Sequence, residues 1–197
     1  MNRDRRADDA GFSLVELAVY IVVLGLISTI IATTMVSLFR SESTVSGLTT
    51  SASDGQNAAT LLRADIRNAR EFRVTDGGAT LTASVAGRSA SITWRCVRWQ
   101  VTGTGDERTL TRDEKPDAAG QPWNTVGSLP TFLTEVGPRT DGATTFPFFA
   151  GGAASGVEGT LTYSWRVGTS DGGTINIVGD TRNHTQGQVA NPATTCF

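Results

Sequence analysis

The sequence predicts an α+β fold, in which a long N-terminal helix precedes a mainly antiparallel β domain. Three observations predict it. An apolar run extends over residues 17–39 without a charged residue. After residue 76, short runs of alternating apolar and polar residues are separated by Gly- and Asp-rich turns. The composition, with 22 Gly and 2 Met among 197 residues, is typical of a β domain with many turns.

The apolar run is long enough to cross a membrane, since a helix of roughly 20 residues spans the hydrocarbon core. The apolar run ends before Arg40 and Glu42. A secretory signal peptide is the nearest alternative, but its apolar core is typically about 7–15 residues long. A signal peptide also needs small residues at its cleavage site, and STIIATTMVS, 28–37, contains enough of them to keep that alternative open. Three arginines before the run favour a cytoplasmic N-terminus, although three aspartates make this leader neutral. The residues after Arg40 would then face outward.

Glu16 places an ionisable carboxylate at the start of the apolar run. Ionisable residues in membrane segments are costly, and they are usually paired or functional. The simplest interpretation is that Glu16 reaches the lipid headgroups from its position near the end of the helix. The alternative is that a cation neutralises it.

The residues before Glu16 carry a pattern that includes it. GFSLVE, from Gly11 to Glu16, follows a short polar leader and precedes the apolar run. In this order the elements resemble the processing signature of type IV prepilins and of type II secretion pseudopilins. The resemblance implies that prepilin peptidase cleaves between Gly11 and Phe12 and N-methylates the new amine of Phe12. It also implies that Glu16 pairs with the N-terminal amine of a neighbouring subunit during filament assembly.

The resemblance further implies a pilin-like fold, a long N-terminal transmembrane and assembly helix packed on a mainly antiparallel sheet. The implied function is a structural filament subunit for secretion, competence or adhesion, and not an enzyme. Its implied partners are prepilin peptidase, other pilins or pseudopilins, an assembly platform protein and membrane lipid. Major pilins commonly carry a helix-kinking Pro, whereas no Pro precedes Pro116 here. This departure favours a minor pilin or a pseudopilin.

Four segments are expected: a cleaved cytoplasmic leader (1–11), a transmembrane and assembly helix (12–40), a linker and outer helix (41–75), and an extracytoplasmic β-rich domain (76–197). Residues 41–55 are rich in Ser, Thr and Gly, which predicts a linker or a frayed or bent helix. Residues 54–72 predict a second helix, capped by Asp54 or Ser53. Its apolar positions are Ala59, Leu62, Ile66 and Ala69, and its solvated face carries Arg63, Arg67 and Arg70.

Six runs predict strands: TLTASV, SITWRCVRWQV, RTLTRD, TFLTEV, LTYSWRV and TINIV. The last two are expected to form an antiparallel hairpin. Strict alternation places four side chains on one face of a strand: Leu161, Tyr163, Trp165 and Val167. We expect the aromatic side chains in the core: Trp94, Trp99, Tyr163 and Trp165. In FPFFAGG, 146–152, Pro147 argues against a central strand, which predicts an edge or a loop with an apolar knob facing a partner.

The order of these elements also resembles that of the minor pseudopilin J subgroup. LLRADIRNAREF is followed by ITWRC, by RTLTRDE and by a late hairpin that ends in Arg182 and Asn183. This resemblance implies a place among the minor subunits that initiate the tip.

The remaining candidate groups give little support to catalysis. Cys96 and Cys196 could form one disulfide outside the cytoplasm, or could be two free buried thiols. They lack zinc spacing, and His184 is the chain's one His, so no metal site and no cofactor is expected. The acidic residues of RDEKPD, 112–117, predict a charged loop. A net charge of -2 gives no indication of nucleic-acid binding.

The alternative function is a single-pass, membrane-anchored extracellular binding domain or enzyme. The GFSLVE signature separates the two functions, because a plain anchor needs neither the Gly before Phe12 nor Glu16. On the filament interpretation, the protein is first a single-pass membrane protein and later part of a cell-surface or periplasmic filament.

Overall fold

The computed structural model describes residues 13–87, 93–105, 108–123, 133, 135–154, 156–168, 173–184 and 194–197. The chain forms two compact units, Met1–Ser43 and Thr44–Phe197. The predicted α+β fold is confirmed: α1 (Leu14–Arg67) is followed by an antiparallel β-sheet domain.

Ten strands follow α1 among the described residues: β1 (Ala69–Thr75), β2 (Thr80–Ala86), β3 (Trp94–Thr102), β4 (Thr109–Pro116), β5 (Val136–Gly137), β6 (Thr140–Asp141), β7 (Thr144–Thr145), β8 (Phe149–Ala153), β9 (Thr160–Gly168) and β10 (Thr174–Arg182). A short 3-10 helix, Asp76–Gly78, joins β1 to β2. The main sheet has the order β10-β9-β8-β1-β2-β3-β4, and β5 pairs with the end of β9. β6 and β7 form a separate two-stranded hairpin.

The domain core lies between the second half of α1 and one face of the sheet. Four apolar helix residues belong to the same buried cluster as the sheet side chains: Ala58, Ala59, Leu62 and Ile66. The alternation predicted for β9 is confirmed, since Leu161, Tyr163 and Trp165 are fully buried. Gly55 lets the helix approach β10 closely, because a Cβ there would lie 2.9 Å from Ile177 Cγ1.

A buried ion pair joins α1 to the sheet inside this core. Asp65 Oδ2 accepts hydrogen bonds from Arg112 Nε at 2.8 Å and from Trp99 Nε1 at 2.9 Å. Asp65 Oδ1 accepts a further bond from Arg112 Nη2 at 3.0 Å. The side chains of both charged residues are at most 3% exposed. Two-point contact of this kind fixes both the distance and the rotation of a guanidinium against a carboxylate.

Further ion pairs extend from Arg112 along β4 and β3. Arg112 Nη1 contacts Glu114 Oε1, and Glu114 Oε2 accepts from Arg95 Nη1 at 3.1 Å. Asp113 on the opposite face of β4 pairs with Arg98 Nη2 at 2.7 Å. The charged loop expected for RDEKPD is therefore wrong. Asp113 and Glu114 lie on β4, where arginines on β3 pair with them, and Asp117 follows the end of the strand.

Asn183 closes the other end of the domain and is fully buried. Its Oδ1 accepts from Gly159 N at 2.7 Å, and its Nδ2 donates to Val157 O at 3.3 Å and to Ala69 O at 3.4 Å. Next to it, His184 N donates to Arg67 O at 3.4 Å. The end of β10 is thus bonded to the junction between α1 and β1.

The second helix expected over residues 54–72 begins and ends elsewhere. Residues 41–55 are helical, so neither a linker nor a cap at Asp54 exists. Hydroxyl groups satisfy carbonyls along this stretch, such as Thr49 Oγ1 donating to Val45 O at 2.9 Å. The helix ends at Arg67, because β1 needs the backbone of residues 69–75 to pair with β2 and β8. Arg70 accordingly lies on β1 and is buried, whereas Arg63 and Arg67 are exposed as predicted.

The prediction for FPFFAGG is also wrong. Phe148 and Phe149 are buried, and β8 pairs with β1 on one side and β9 on the other. Pro147 precedes the strand, so it removes no hydrogen bond from it. Gly151 has a φ of 121°, and a Cβ there would overlap Thr160 O, so the close pairing with β9 requires glycine.

Asp65→Ala should lower the free energy of unfolding by about 3–5 kcal/mol, because it leaves the buried Arg112 guanidinium unpaired. Urea unfolding of the detergent-extracted full chain, followed by tryptophan fluorescence, measures this loss. Asp141→Ala is the control, since Asp141 is 74% exposed and lies 3.8 Å from Arg139. Its cost should stay below about 1 kcal/mol. Equal losses for the two variants would contradict the anchoring role of Asp65.

Candidate assembly site

The first unit is an apolar helix that the rest of its unit does not cover. Every large apolar side chain over residues 14–39 is at least 46% exposed. The mean hydropathy reaches 2.5, and this helix is long and apolar enough to span a membrane. A helix that is apolar on all sides needs lipid or other helices around it. The described residues of this unit therefore present a surface for a membrane, for partner helices, or for each in turn.

The three threonine hydroxyl groups of the apolar run donate to carbonyl groups of the same helix. Thr29 Oγ1 donates to Gly25 O at 2.8 Å, and Thr34 Oγ1 donates to Ile30 O at 2.8 Å. Thr33 Oγ1 lies 2.9 Å from the same Ile30 carbonyl. Polar groups in hydrocarbon must be satisfied internally, and these bonds do so within the helix. The segment is thus suited to an apolar surrounding despite its threonines.

Glu16 lies in the first turn of α1 and is exposed. In this first turn, Leu17 N donates to Ser13 O at 3.1 Å. The amide groups of a first turn have no partners within the helix, and the helix dipole favours a negative charge there. None of the ion pairs between described residues involves Glu16. The carboxylate is therefore positioned at the helix start and available to a cation from outside.

Gly11 and Phe12 lie outside the described residues, so cleavage and methylation at this position stay predictions. Glu16 is the one residue of the predicted processing and assembly set whose place the structure describes.

The two cysteines meet on the face of the sheet away from α1. Cys96 on β3 and Cys196 form a disulfide, with Cα atoms 5.3 Å apart. The two residues are 100 positions apart in the chain. A cross-link over so long a loop stabilises a fold by about 3–5 kcal/mol in the chain-entropy model. It attaches residues 194–197 to β3, the strand next to the edge strand β4.

Asp117 bonds the same C-terminal segment next to the disulfide. Its Oδ1 accepts from Thr195 N at 2.7 Å and from Thr195 Oγ1 at 2.9 Å, and its Oδ2 accepts from Thr194 Oγ1 at 2.9 Å. Arg70 Nη2 donates to Asp117 Oδ2 at 2.6 Å. Asp117 therefore connects β1, the end of β4 and the C-terminal segment.

The donors around Asp117 set its protonation. Burial by itself raises the pKa of this carboxyl group, but hydrogen bonds from Thr195, Thr194 and Ser84 outweigh burial. The pKa lies below its ordinary value of 3.8 as a result. Asp117 is thus a carboxylate whenever the domain is folded near neutral pH.

A metal does not fit this cluster. Cys96, Cys196 and Asp117 each bring one ligand atom within 4.8 Å of the others. The disulfide, however, leaves neither sulfur as a thiolate, and the thiolate is the form that binds metals. Both oxygens of Asp117 already accept hydrogen bonds.

Sequence reasoning assigned no role to Asp65 or Arg112. It placed Asp117 in a charged loop, and it named Asn183 as the end of the late hairpin without a buried contact. A signal existed for Asp65, because it lies at i+3 from Leu62 and next to Ile66, within the apolar stripe of the helix. A carboxylate at such a position predicts a buried cation on the element beneath it. No comparable spacing connects Asp117 to Arg70, since their contact depends on the pairing of four strands.

Residues 6–32 match the family model of the prokaryotic N-terminal methylation motif. This motif is the hallmark of type IV prepilins and pseudopilins. The matched range contains Gly11, Phe12, Glu16 and residues 17–32 of the apolar run. Neither a comparison with curated proteins nor one with solved structures returns a match.

Asp117→Asn should destabilise the domain by about 2 kcal/mol at pH 7, because it weakens hydrogen bonds to a charged acceptor. Since the pKa of Asp117 is lower in the folded state, its stabilising effect is complete above the ordinary value of 3.8. The effect is lost as the pH falls through the folded-state pKa. The difference in unfolding free energy between the native protein and the variant should therefore shrink on acidification. A constant difference in urea unfolding from pH 7 to pH 3 would contradict this.

Proposed function

We propose that this pilin-like protein is a minor pilin or a pseudopilin, a structural subunit of a type IV pilus-like filament. The observation that carries the proposal is the methylation motif at residues 6–32, which leads directly into an uncovered apolar helix. A membrane anchor of an extracellular enzyme or binding domain needs the helix alone. It needs neither Gly11 before Phe12 nor Glu16 in the first helical turn.

In this proposal the apolar helix has two surroundings in succession. Before assembly it spans the membrane once, with the leader in the cytoplasm and the β-rich domain outside. Prepilin peptidase removes residues 1–11 and methylates the amine of Phe12. The helix then leaves lipid for a bundle of partner helices, which is an equally apolar surrounding.

Glu16 has a defined part in that transfer. A carboxylate moved into an apolar bundle is costly unless a cation neutralises it. The N-terminal amine that cleavage creates on a neighbouring subunit is such a cation. Pairing then occurs at one register only, because each helix carries one amine and one Glu16 near its start. The cost of an unpaired Glu16 thereby selects the correct register between neighbouring subunits.

The partners of this subunit are prepilin peptidase, other pilins or pseudopilins and an assembly platform protein, in a system for secretion, competence or adhesion. We place the subunit in the J-like minor group that initiates the tip. The placement rests on the resemblance of the sequence elements, two of which also hold buried contacts of the domain. LLRADIRNAREF contains Asp65, which anchors α1, and the late hairpin ends in Asn183, which bonds β10 to β1.

Glu16→Gln should leave membrane insertion unchanged and reduce incorporation into filaments by about tenfold or more, since a charge-assisted contact is lost. Quantitative immunoblots of the membrane and sheared-filament fractions of the native host measure both amounts. Glu42→Gln is the matched control, because Glu42 is an exposed glutamate on α1 outside the apolar run. It should incorporate at the native level. Equal incorporation of Glu16→Gln and Glu42→Gln would remove the pairing role of Glu16.

A further inference from the structure

The C-terminal segment, residues 194–197, is held on the sheet by a disulfide and by the carboxylate of Asp117. The disulfide joins Cys196 to Cys96, which lies 100 positions earlier in the chain. The last residues of a chain are poorly ordered unless other contacts tie them down. A thiol on a loose segment would meet a thiol on the sheet only rarely. The hydrogen bonds to Asp117 are contacts that bring the segment there.

The pairing of β3 and β4 places Asp117 beside Cys96. Cys96 on β3 pairs with Lys115 on β4, two residues before Asp117. Asp117 N also donates to Trp94 O at 3.3 Å, which extends the contact of the two strands past the end of β4. Neither contact involves the C-terminal segment. The backbone of Asp117 is therefore held in place by the sheet itself.

Two neighbours on the sheet orient the carboxylate of Asp117. Ser84 Oγ donates to Asp117 Oδ2 at 2.9 Å, and Arg70 Nη2 donates to the same oxygen at 2.6 Å. Arg70 Nε donates in turn to Ser84 Oγ at 2.9 Å, which connects the two donors. The described donors to the other oxygen, Oδ1, both belong to Thr195. The sheet thus fixes Oδ2, and Oδ1 binds the C-terminal segment.

We propose that Asp117 is a positioning residue for the disulfide, because its carboxylate binds the C-terminal segment before the disulfide forms. Cys196 directly follows the bound Thr195, so docking of the segment brings its thiol to Cys96. In the closed structure, an atom of each cysteine and of Asp117 lies within 4.8 Å of the others. The proposal concerns the domain alone and holds whether or not the chain enters a filament.

Disulfide formation at this site needs a disulfide oxidant, which accepts the two electrons that the thiols lose. One cysteine thiolate attacks the oxidant and displaces its first thiol, which leaves a mixed disulfide. The second cysteine thiolate then attacks the mixed disulfide and displaces the second thiol. The two protons lost by the cysteines end on the two released thiols. Docking by Asp117 favours the second attack, because this attack requires Cys96 and Cys196 to meet.

The first experiment tests whether docking precedes the bond. The detergent-extracted, isotopically labelled Cys196→Ser chain cannot form this disulfide. Its Thr195 amide, whose nitrogen lies 2.7 Å from Asp117 Oδ1, should still be protected from hydrogen exchange. By NMR, exchange should be about tenfold or more slower than in the chain that carries both Cys196→Ser and Asp117→Asn. Equal exchange rates would show that the segment docks only after the bond forms, which overturns the proposal.

The second experiment measures the equilibrium constant for disulfide formation in the full chain. The chain is equilibrated with mixtures of reduced and oxidised glutathione at pH 7, its thiols are alkylated, and the two forms are quantified by mass spectrometry. Asp117→Asn should lower this constant about tenfold or more, since docking loses a charged acceptor. The double threonine variant, which carries Thr194→Val and Thr195→Val, should lower it about threefold or more. This variant keeps the contact between Arg70 and Asp117.

Thr102→Val is the matched control, because the exposed Thr102 hydroxyl lies on the same strand as Cys96 and bonds Thr109 Oγ1 at 3.0 Å instead. Its equilibrium constant should equal that of the native chain. Tryptophan fluorescence checks that the reduced chains stay folded, and if Asp117→Asn alone unfolds on reduction, the double threonine variant decides. An unchanged constant in a folded variant, or unfolding of the reduced double threonine variant, would overturn the positioning role of Asp117.

Discussion

The domain depends on the contact between the second half of α1 and the sheet. That half is rich in Ser, Thr, Asp and Gly, which are weak helix formers, so packing must supply most of its stability. The packing surface consists of small and branched apolar residues around the Asp65–Arg112 pair. A buried pair tolerates little displacement, because its charges are stabilised only in contact. The helix is thereby held to one rotation and one register on β3 and β4.

This constraint has a functional consequence for a filament subunit. The apolar part of α1, residues 14–39, carries no charged side chain except Glu16 at its start, so it can slide or rotate among other helices at little cost. The sheet-packed part cannot, because Asp65 bonds it to β3 and β4, and His184 N donates to Arg67 O at its end. Specificity within the domain therefore comes from a few buried polar contacts. Specificity between apolar helices would come from the pairing of Glu16. This pairing has the same physical basis as the Asp65–Arg112 pair, because a charge in an apolar surrounding is stabilised only in contact with its partner.

The sequence predicts the elements better than their connections. The apolar run and the alternation in β9 are local patterns, so the helix and the buried row of Leu161, Tyr163 and Trp165 follow from them. The helix end at Arg67 and the strand at Phe149 depend on partners distant in sequence, and both were mispredicted from local signals. Asp65 was foreseeable from its place in the apolar stripe. The contact of Asp117 with Arg70 was not, because it depends on the pairing of four strands.

The central claim is that residues 6–32 are a processing signal joined to an assembly helix. The most direct measurement is the intact mass and N-terminal sequence of the protein extracted from its native host membrane. The account predicts a mature chain that lacks residues 1–11 and starts at N-methylated Phe12. A protein that retains its leader in a host with active prepilin peptidase, or one cut C-terminal to the apolar run, would contradict it.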